Sequence, residues 1–247
     1  MSIIFRLFHS IVLLFILSLF FSGCEQLRRI IQETSDPVTE EEVIRGLRQA
    51  LEFGAEDAAE LASMEGGFYD DNRLQIPFPP EAQRVEETLR DIGLSNLVDD
   101  FVLHLNRSAE NAAEQAAPIL LNAISDITIS DGLDILHGDD NAATQYLYRQ
   151  TAGELESAFR PIIQQALDET QTTRYWNDIT TRYNQIPFVQ NVETHLASYT
   201  TNRTIDGLFV LIEDEEKEIR NNPSARITEL LKRVFRQQDE EITELPS

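Results

Sequence analysis

One apolar stripe constrains this chain more than any other feature. From Leu97, apolar or small residues recur at Phe101, Leu105, Ser108 and Ala109, Ala112, Ala116, Leu120 and Ile124. Steps of three and four residues keep one helix face apolar for about seven turns. The middle of the stripe, "SAENAAEQAA", is alanine-rich, which predicts close packing on neighbouring helices. A helix of this kind needs partners along its whole face. The spacing therefore predicts an all-α, single multi-helix domain built around a long central helix. Pro118 lacks an N–H and crowds the preceding turn, so it is expected to kink or split that helix.

The flanking segments carry the same period. Thr39 with Glu42 has capping-box spacing, and Glu40 and Glu41 suit the positive end of a helix dipole. Val43, Ile44, Leu47 and Leu51 then share one face, with Gly54 as an expected break before Ala55–Ala62. Further helices are predicted over 81–92, from Ser95, from Thr128 or Ser130 to "HGDDN", over 142–170 with an interruption at Pro161, and over 175–183. Val189–Arg220 reads as helix with a weak point at "TTNRT". Asn222-Pro223 reads as a cap and first-turn proline of an amphipathic helix over 224–236. One segment cannot be helical: "GGFYDDNRLQIPFPP", residues 66–80, is rich in glycine, proline and turn formers. Its Phe68, Tyr69, Ile76 and Phe78 predict a loop pinned against the helices. No stretch alternates with strand period.

The N-terminus supplies an address. Arg6 precedes an almost wholly apolar run from Leu7 to Phe21, short for a membrane span, and Ser22-Gly23 then leads to Cys24. This resembles a bacterial lipoprotein signal, with residues 1–23 removed and Cys24, the chain's one cysteine, diacylated. Residues 24–38 then form a lipidated tether, 39–236 the helical domain and 237–247 a loose acidic tail. With Cys24 modified, neither a disulfide nor a thiolate metal site is available. The chain has 20 basic and 43 acidic residues, net −23; the first 23 residues hold one base and no acid, leaving 19 against 43, or −24, for the rest. Phosphate backbones are repelled, so nucleic acid is not an expected partner.

Five stretches, in order, carry a wider resemblance: "TEEEVIRGLRQAL", "GFYDDNRLQIPFP", "LVDDFVLHLNRSAENAAEQAAPI", "AATQYLYRQT" and "DGLFVLIEDEEKEIRNNPSARITELLKRVF". Between Thr39 and Phe235 the chain resembles the bacterial lipoprotein family known as Domain of Unknown Function 4197. The resemblance implies a helical domain behind a signal or lipid anchor. It implies no activity, cofactor or catalytic residue.

Three polar clusters are candidate sites. Asp131, His137, Asp139 and Asp140 around "HGDDN" offer carboxylates and imidazole, but without paired-histidine spacing; the preferred reading is a glycine C-cap followed by an aspartate N-cap of the next helix. Asn106, Arg107 and Glu110 interrupt the long helix. Arg107 and Glu110, one turn apart, can pair, and the helical wheel puts them on a solvated face. Leu103 shares that side, which leaves open a helix covered on both faces and a buried pair. Tyr69, Asn72, Arg220 and Arg226 form an anion- or polar-ligand set if they converge; otherwise they anchor loops and cap helices. No nucleophile elbow, catalytic cysteine or P-loop is present. No catalytic residue, cofactor or metal centre is therefore expected.

These readings lead to a lipid-anchored protein, held to a membrane on the periplasmic or extracellular side, that binds or scaffolds an envelope protein. A metal-assisted hydrolase and a carrier with an apolar cavity are the alternatives. A filled core with an exposed apolar patch would favour the first.

Overall fold

The computed structural model describes residues 39–185, 191–192, 195–226 and 228–234. From Glu40 on, the chain clusters into one compact unit. Its helices are α1 (Glu40–Ser63), α2 (Gln83–Asp91), α3 (Ser95–Ala113), α4 (Ala116–Ser125), α5 (Ile129–Leu136), α6 (Ala142–Glu169), α7 (Thr172–Asn184) and α8 (Leu196–Asn221), followed by a short helix over 229–234. No strand occurs among the described residues, so the domain is all-α.

The apolar stripe lies at the centre of this bundle. α3 packs against α1, α2, α6 and α8, and α4 against α1 and α6. Leu105, Ala109, Ala112, Ala113, Ala116, Leu120 and Ile124 are fully buried. The predicted seven-turn helix is two helices. α3 ends at Ala113, and Pro118 sits in the first turn of α4, where its missing N–H leaves no intrahelical bond unmade.

Two expected breaks are absent. α1 runs through Gly54, where an added Cβ would stand 3.2 Å from the Glu215 Cβ of α8. The glycine there lets two helices close on each other. α6 runs through Pro161, which is exposed, as is Ser157, whose carbonyl loses its partner to the proline. Phe159 and Ile163, both fully buried, hold the helix on either side. The expected weak point at "TTNRT" lies within unbroken α8.

Other boundaries shift for local reasons. Asn191 and Val192 are not helical. The Asn184 side chain exchanges two hydrogen bonds with the Val192 backbone, at 2.8 and 2.9 Å, and α8 begins only at Leu196. Asn222 caps Pro223–Ala225, a single 3₁₀ turn rather than the start of a long helix. Helix resumes near Thr228, whose hydroxyl accepts from the Leu231 N–H at 3.2 Å. The predicted signal, Cys24, the tether and the acidic tail lie outside the described residues.

Candidate functional site

The irregular segment is pinned, and two side chains of α3 do the pinning. Asn106 is fully buried. Its Oδ1 accepts from the Ile76 N–H at 2.8 Å, and its Nδ2 donates to the Ile76 carbonyl at 3.0 Å and to the Val102 carbonyl at 2.8 Å. One turn on, Glu110 Oε1 accepts from the N–H groups of Phe68 and Tyr69, both at 3.2 Å. Gly66 turns the chain into this segment with φ +90°. Phe68, Leu74, Ile76 and Phe78 are buried beneath it. A Cβ on Gly207 of α8 would stand 2.5 Å from the Phe68 ring, so the glycine makes room for that side chain.

Arg107 completes the cluster. Its Nη1 donates to Glu110 Oε2 at 2.6 Å and its Nη2 to Glu65 at 2.9 Å. The Glu110 carboxylate pushes the Arg107 pKa further up. The solvated face predicted for the pair is not what forms. Glu110 is 3% exposed, because the loop covers the side of α3 that the apolar stripe leaves free. Tyr69 is half-buried, with its carbonyl accepting from Gln75 Nε2 at 2.9 Å, and Asn72 is exposed in the turn.

Arg220 and Arg226 meet elsewhere, at the C-terminal end of α8. Arg220 donates to the Ile135 carbonyl at 2.8 Å and pairs with Glu216 at 2.8 Å. Arg226 donates to the carbonyls of Ile219 and Arg220, at 3.1 and 2.8 Å. Among the described residues no hydrogen bond or ion pair joins these arginines to Tyr69 or Asn72. Glu216, which sequence reading did not single out, is the centre of this second cluster. It accepts from the N–H groups of Ala143 and Thr144 at 3.0 and 2.8 Å and from the Thr144 hydroxyl at 2.7 Å. It therefore caps α6 from α8, across 72 residues of sequence.

The "HGDDN" turn shows local capping only in part. Thr128 and Asp131 form a reciprocal capping box, and the Thr128 hydroxyl holds the Asp131 carboxyl below the usual range. His137 Nδ1 lies 2.9 Å from the Leu133 carbonyl. The expected aspartate cap of α6 does not form; Asn141 occupies the N-cap position, its side chain accepting from Gln145 Nε2 at 2.8 Å rather than capping, and Glu216 supplies the acceptors. Among the described residues no three His, Cys, Asp or Glu side chains group as a metal set.

A cleft opens to solvent where α2, α3 and α7 meet. It has a volume of about 130 Å³. Phe78 and Phe101 build its floor, their ring centroids 4.8 Å apart, and buried Trp176 packs behind both at 5.5 Å. Leu89, Leu97, Tyr175 and Ile179 form its walls, and Asp100 and His104 are its ionisable groups. Leu97 and Tyr175 are 40% and 49% exposed, and Ile92 and Leu94, in the turn before α3, are exposed as well. The stripe that predicted the core thus surfaces at its first residue. Leu97 and Tyr175 carried no separate signal in sequence, because a core leucine and an exposed one share the same period.

No helix among the described residues is long and apolar enough to cross a membrane. A family model described as a protein of unknown function (DUF4197) matches residues 37–236. No curated protein and no solved structure matches the chain.

Proposed function

The chain belongs to the DUF4197 family, and from that premise we propose a lipid-anchored binding role in the cell envelope. In this reading, Cys24 carries the anchor. The helical domain holds a partner protein by an apolar side chain seated in the cleft between α2, α3 and α7. The carrying observation is the cleft itself: an aromatic floor open to solvent between exposed Leu97 and Tyr175. Small-molecule sites run to about 300–1,000 Å³, so 130 Å³ suits one inserted side chain better than a lipid or substrate. Interface anchors of this kind are apolar or aromatic groups in rigid, desolvated pockets. Asp100 in the lining and the net charge of −23 favour a partner with basic residues beside the anchor.

A photo-crosslinking side chain placed at Tyr175 tests this in cells. One discrete protein adduct is expected, lost on Leu97→Asp and absent when the crosslinker stands at Gly153, where an added Cβ meets nothing within 4 Å. No adduct, or the same adduct from both positions, overturns the reading.

A further inference from the structure

The cleft between α2, α3 and α7 is short of hydrogen-bond donors. Its ionisable groups, Asp100 and His104, stand one turn apart on α3. Neither side chain makes a hydrogen bond or ion pair among the described residues, and the Tyr175 hydroxyl in the wall makes none either. Asp99, the neighbour of Asp100 in sequence, is already paired with Arg90 at 2.8 Å. The threonine hydroxyls of the lining are spent: those of Thr170 and Thr172 lie 2.7 Å apart, and that of Thr170 also donates to the Ala166 carbonyl at 3.0 Å. Among the described residues no lysine or arginine lines the cleft.

A neutral imidazole and a phenol each donate as well as accept, whereas an ionised carboxylate only accepts. Asp100 is therefore the group that a seated partner has to satisfy. In the free domain it is exposed to water. A segment that covers the cleft strips that water away, and a wholly apolar anchor returns no donor in exchange. The floor asks for a different property. Phe78 and Phe101 are tilted at 43° to each other and are backed by Trp176. A ring laid on such a pair gains offset or edge-on aromatic contacts beyond its buried area.

We propose that the cleft seats a tryptophan side chain of the partner protein, with its indole ring against Phe78 and Phe101 and its N–H donated to Asp100. This rests on the binding role proposed above and narrows it to one side chain. Indole is a donor only, so it satisfies Asp100 without bringing an acceptor of its own, as a phenol would. A guanidinium would also stack on the rings and pair with Asp100. It would, however, carry a full charge between Leu89, Leu97 and Ile179, and burying a charge is costlier than burying a neutral donor. Asp100 is in this way the specificity determinant of the cleft, selecting a ring with a donor over a phenylalanine.

The test titrates N-acetyltryptophanamide and its 1-methyl analogue, which lacks the indole N–H, into the full-length chain in a neutral detergent. The His104 ring signal is read by NMR against the measured free concentration of each probe. The tryptophan probe is expected to bind about tenfold more tightly than its methylated analogue, the size of a hydrogen bond to a charged acceptor. Asp100→Leu breaks no hydrogen bond of the folded domain. It should erase that preference, bind the methylated probe at least as well as wild type does, and leave the melting temperature no lower. Leu97→Asp should weaken both probes. Equal affinity for the two probes, or a preference that survives Asp100→Leu, overturns the inference and leaves the cleft a plain apolar seat; a missing crosslink from Tyr175 is what removes the seat itself. Tighter binding of N-acetylargininamide than of the tryptophan probe identifies a cationic anchor and overturns it too, as does no binding of either indole at millimolar concentration.

Discussion

Glu110 and Glu216 do the same work at opposite places in the bundle. Each is a buried carboxylate that accepts two consecutive backbone N–H groups from another segment, those of Phe68 and Tyr69 or of Ala143 and Thr144. Each is balanced by one arginine of its own helix, Arg107 three residues before or Arg220 four residues after. Neither site has a nucleophile or imidazole beside it in these contacts. Both are structural joints, and their energetics follow from which groups a substitution leaves unpaired.

At the first joint, Glu110→Leu leaves Arg107 with Glu65 alone and removes the acceptor of two loop N–H groups. A loss of about 3–5 kcal/mol is expected, as for a broken buried pair. Arg107→Met should cost less, because its guanidinium is one-third exposed and Glu110 keeps both backbone donors. The double variant should not recover, since each unsatisfied buried N–H still costs about 1–3 kcal/mol. Urea unfolding of the four proteins checks this. A double variant near wild-type stability would show that the loop does not need the carboxylate.

At the second joint, Glu216→Ala is expected to lower stability by about 3–5 kcal/mol and to weaken amide-exchange protection at Ala143 and Thr144 first. Thr144→Val removes only the hydroxyl bond and should cost about 1 kcal/mol. Site-resolved hydrogen exchange distinguishes the two. Equal protection of both amides in wild type and Glu216→Ala would contradict the cap.

The carboxyl of Glu215 is pushed up, first by burial and then by Asp57, Glu218 and Asp214. A raised carboxyl pKa means the folded state holds the proton more tightly than the unfolded chain. The stability it contributes is present in acid and lost as pH rises through the folded pKa. Glu215→Gln should therefore raise the melting temperature at pH 7, with the gain fading below about pH 4. Asp131 has the opposite sign, since Thr128 lowers its pKa. Asp131→Asn should be destabilising at pH 7, with the loss fading in acid. Melting curves across pH 3–8 read both.

Gly207→Ala drives a methyl into the fully buried Phe68 ring. Overpacking of this kind typically costs about 1–3 kcal/mol. The paired change Gly207→Ala with Phe68→Leu should recover part of it, which thermal denaturation can measure.

The proposed anchor predicts that mass spectrometry of wild-type protein finds an acylated N-terminal Cys24, and that Cys24→Ser carries no lipid. An unmodified wild-type Cys24 would remove the anchor from the proposed role while leaving the cleft to its own test.

Local signals were readable wherever the chemistry was local. A helix start at Thr128, Asn222 as a cap before Pro223, and the glycine-proline segment with its buried Phe68, Ile76 and Phe78 all form as their neighbours in sequence dictate. The family of the chain was legible too. What stayed hidden depends on distant partners. Gly54 looked like a break because nothing near it shows that Glu215 packs there. Glu110 looked exposed because a helical wheel records one helix and not the loop folded over it. Glu216 looked like one acid among many in "EDEEKE", since the amides it caps lie 72 residues away. The cleft was illegible for the same reason, being assembled from α2, α3, α7 and Phe78.

The seating of residues 66–80 on Asn106 and Glu110 also imposes an order on biosynthesis. The loop leaves the ribosome 30 to 42 residues ahead of the side chains that fix it. Until α3 follows, Phe68, Ile76 and Phe78 have no seat, and the nascent chain exposes three large apolar groups beside unpaired backbone amides. A stall or truncation between Pro80 and Asn106 would therefore leave a sticky fragment, whereas one just past Glu110 would already hold both acceptors. The vulnerable window in making this protein is written into which of the two interacting segments comes first.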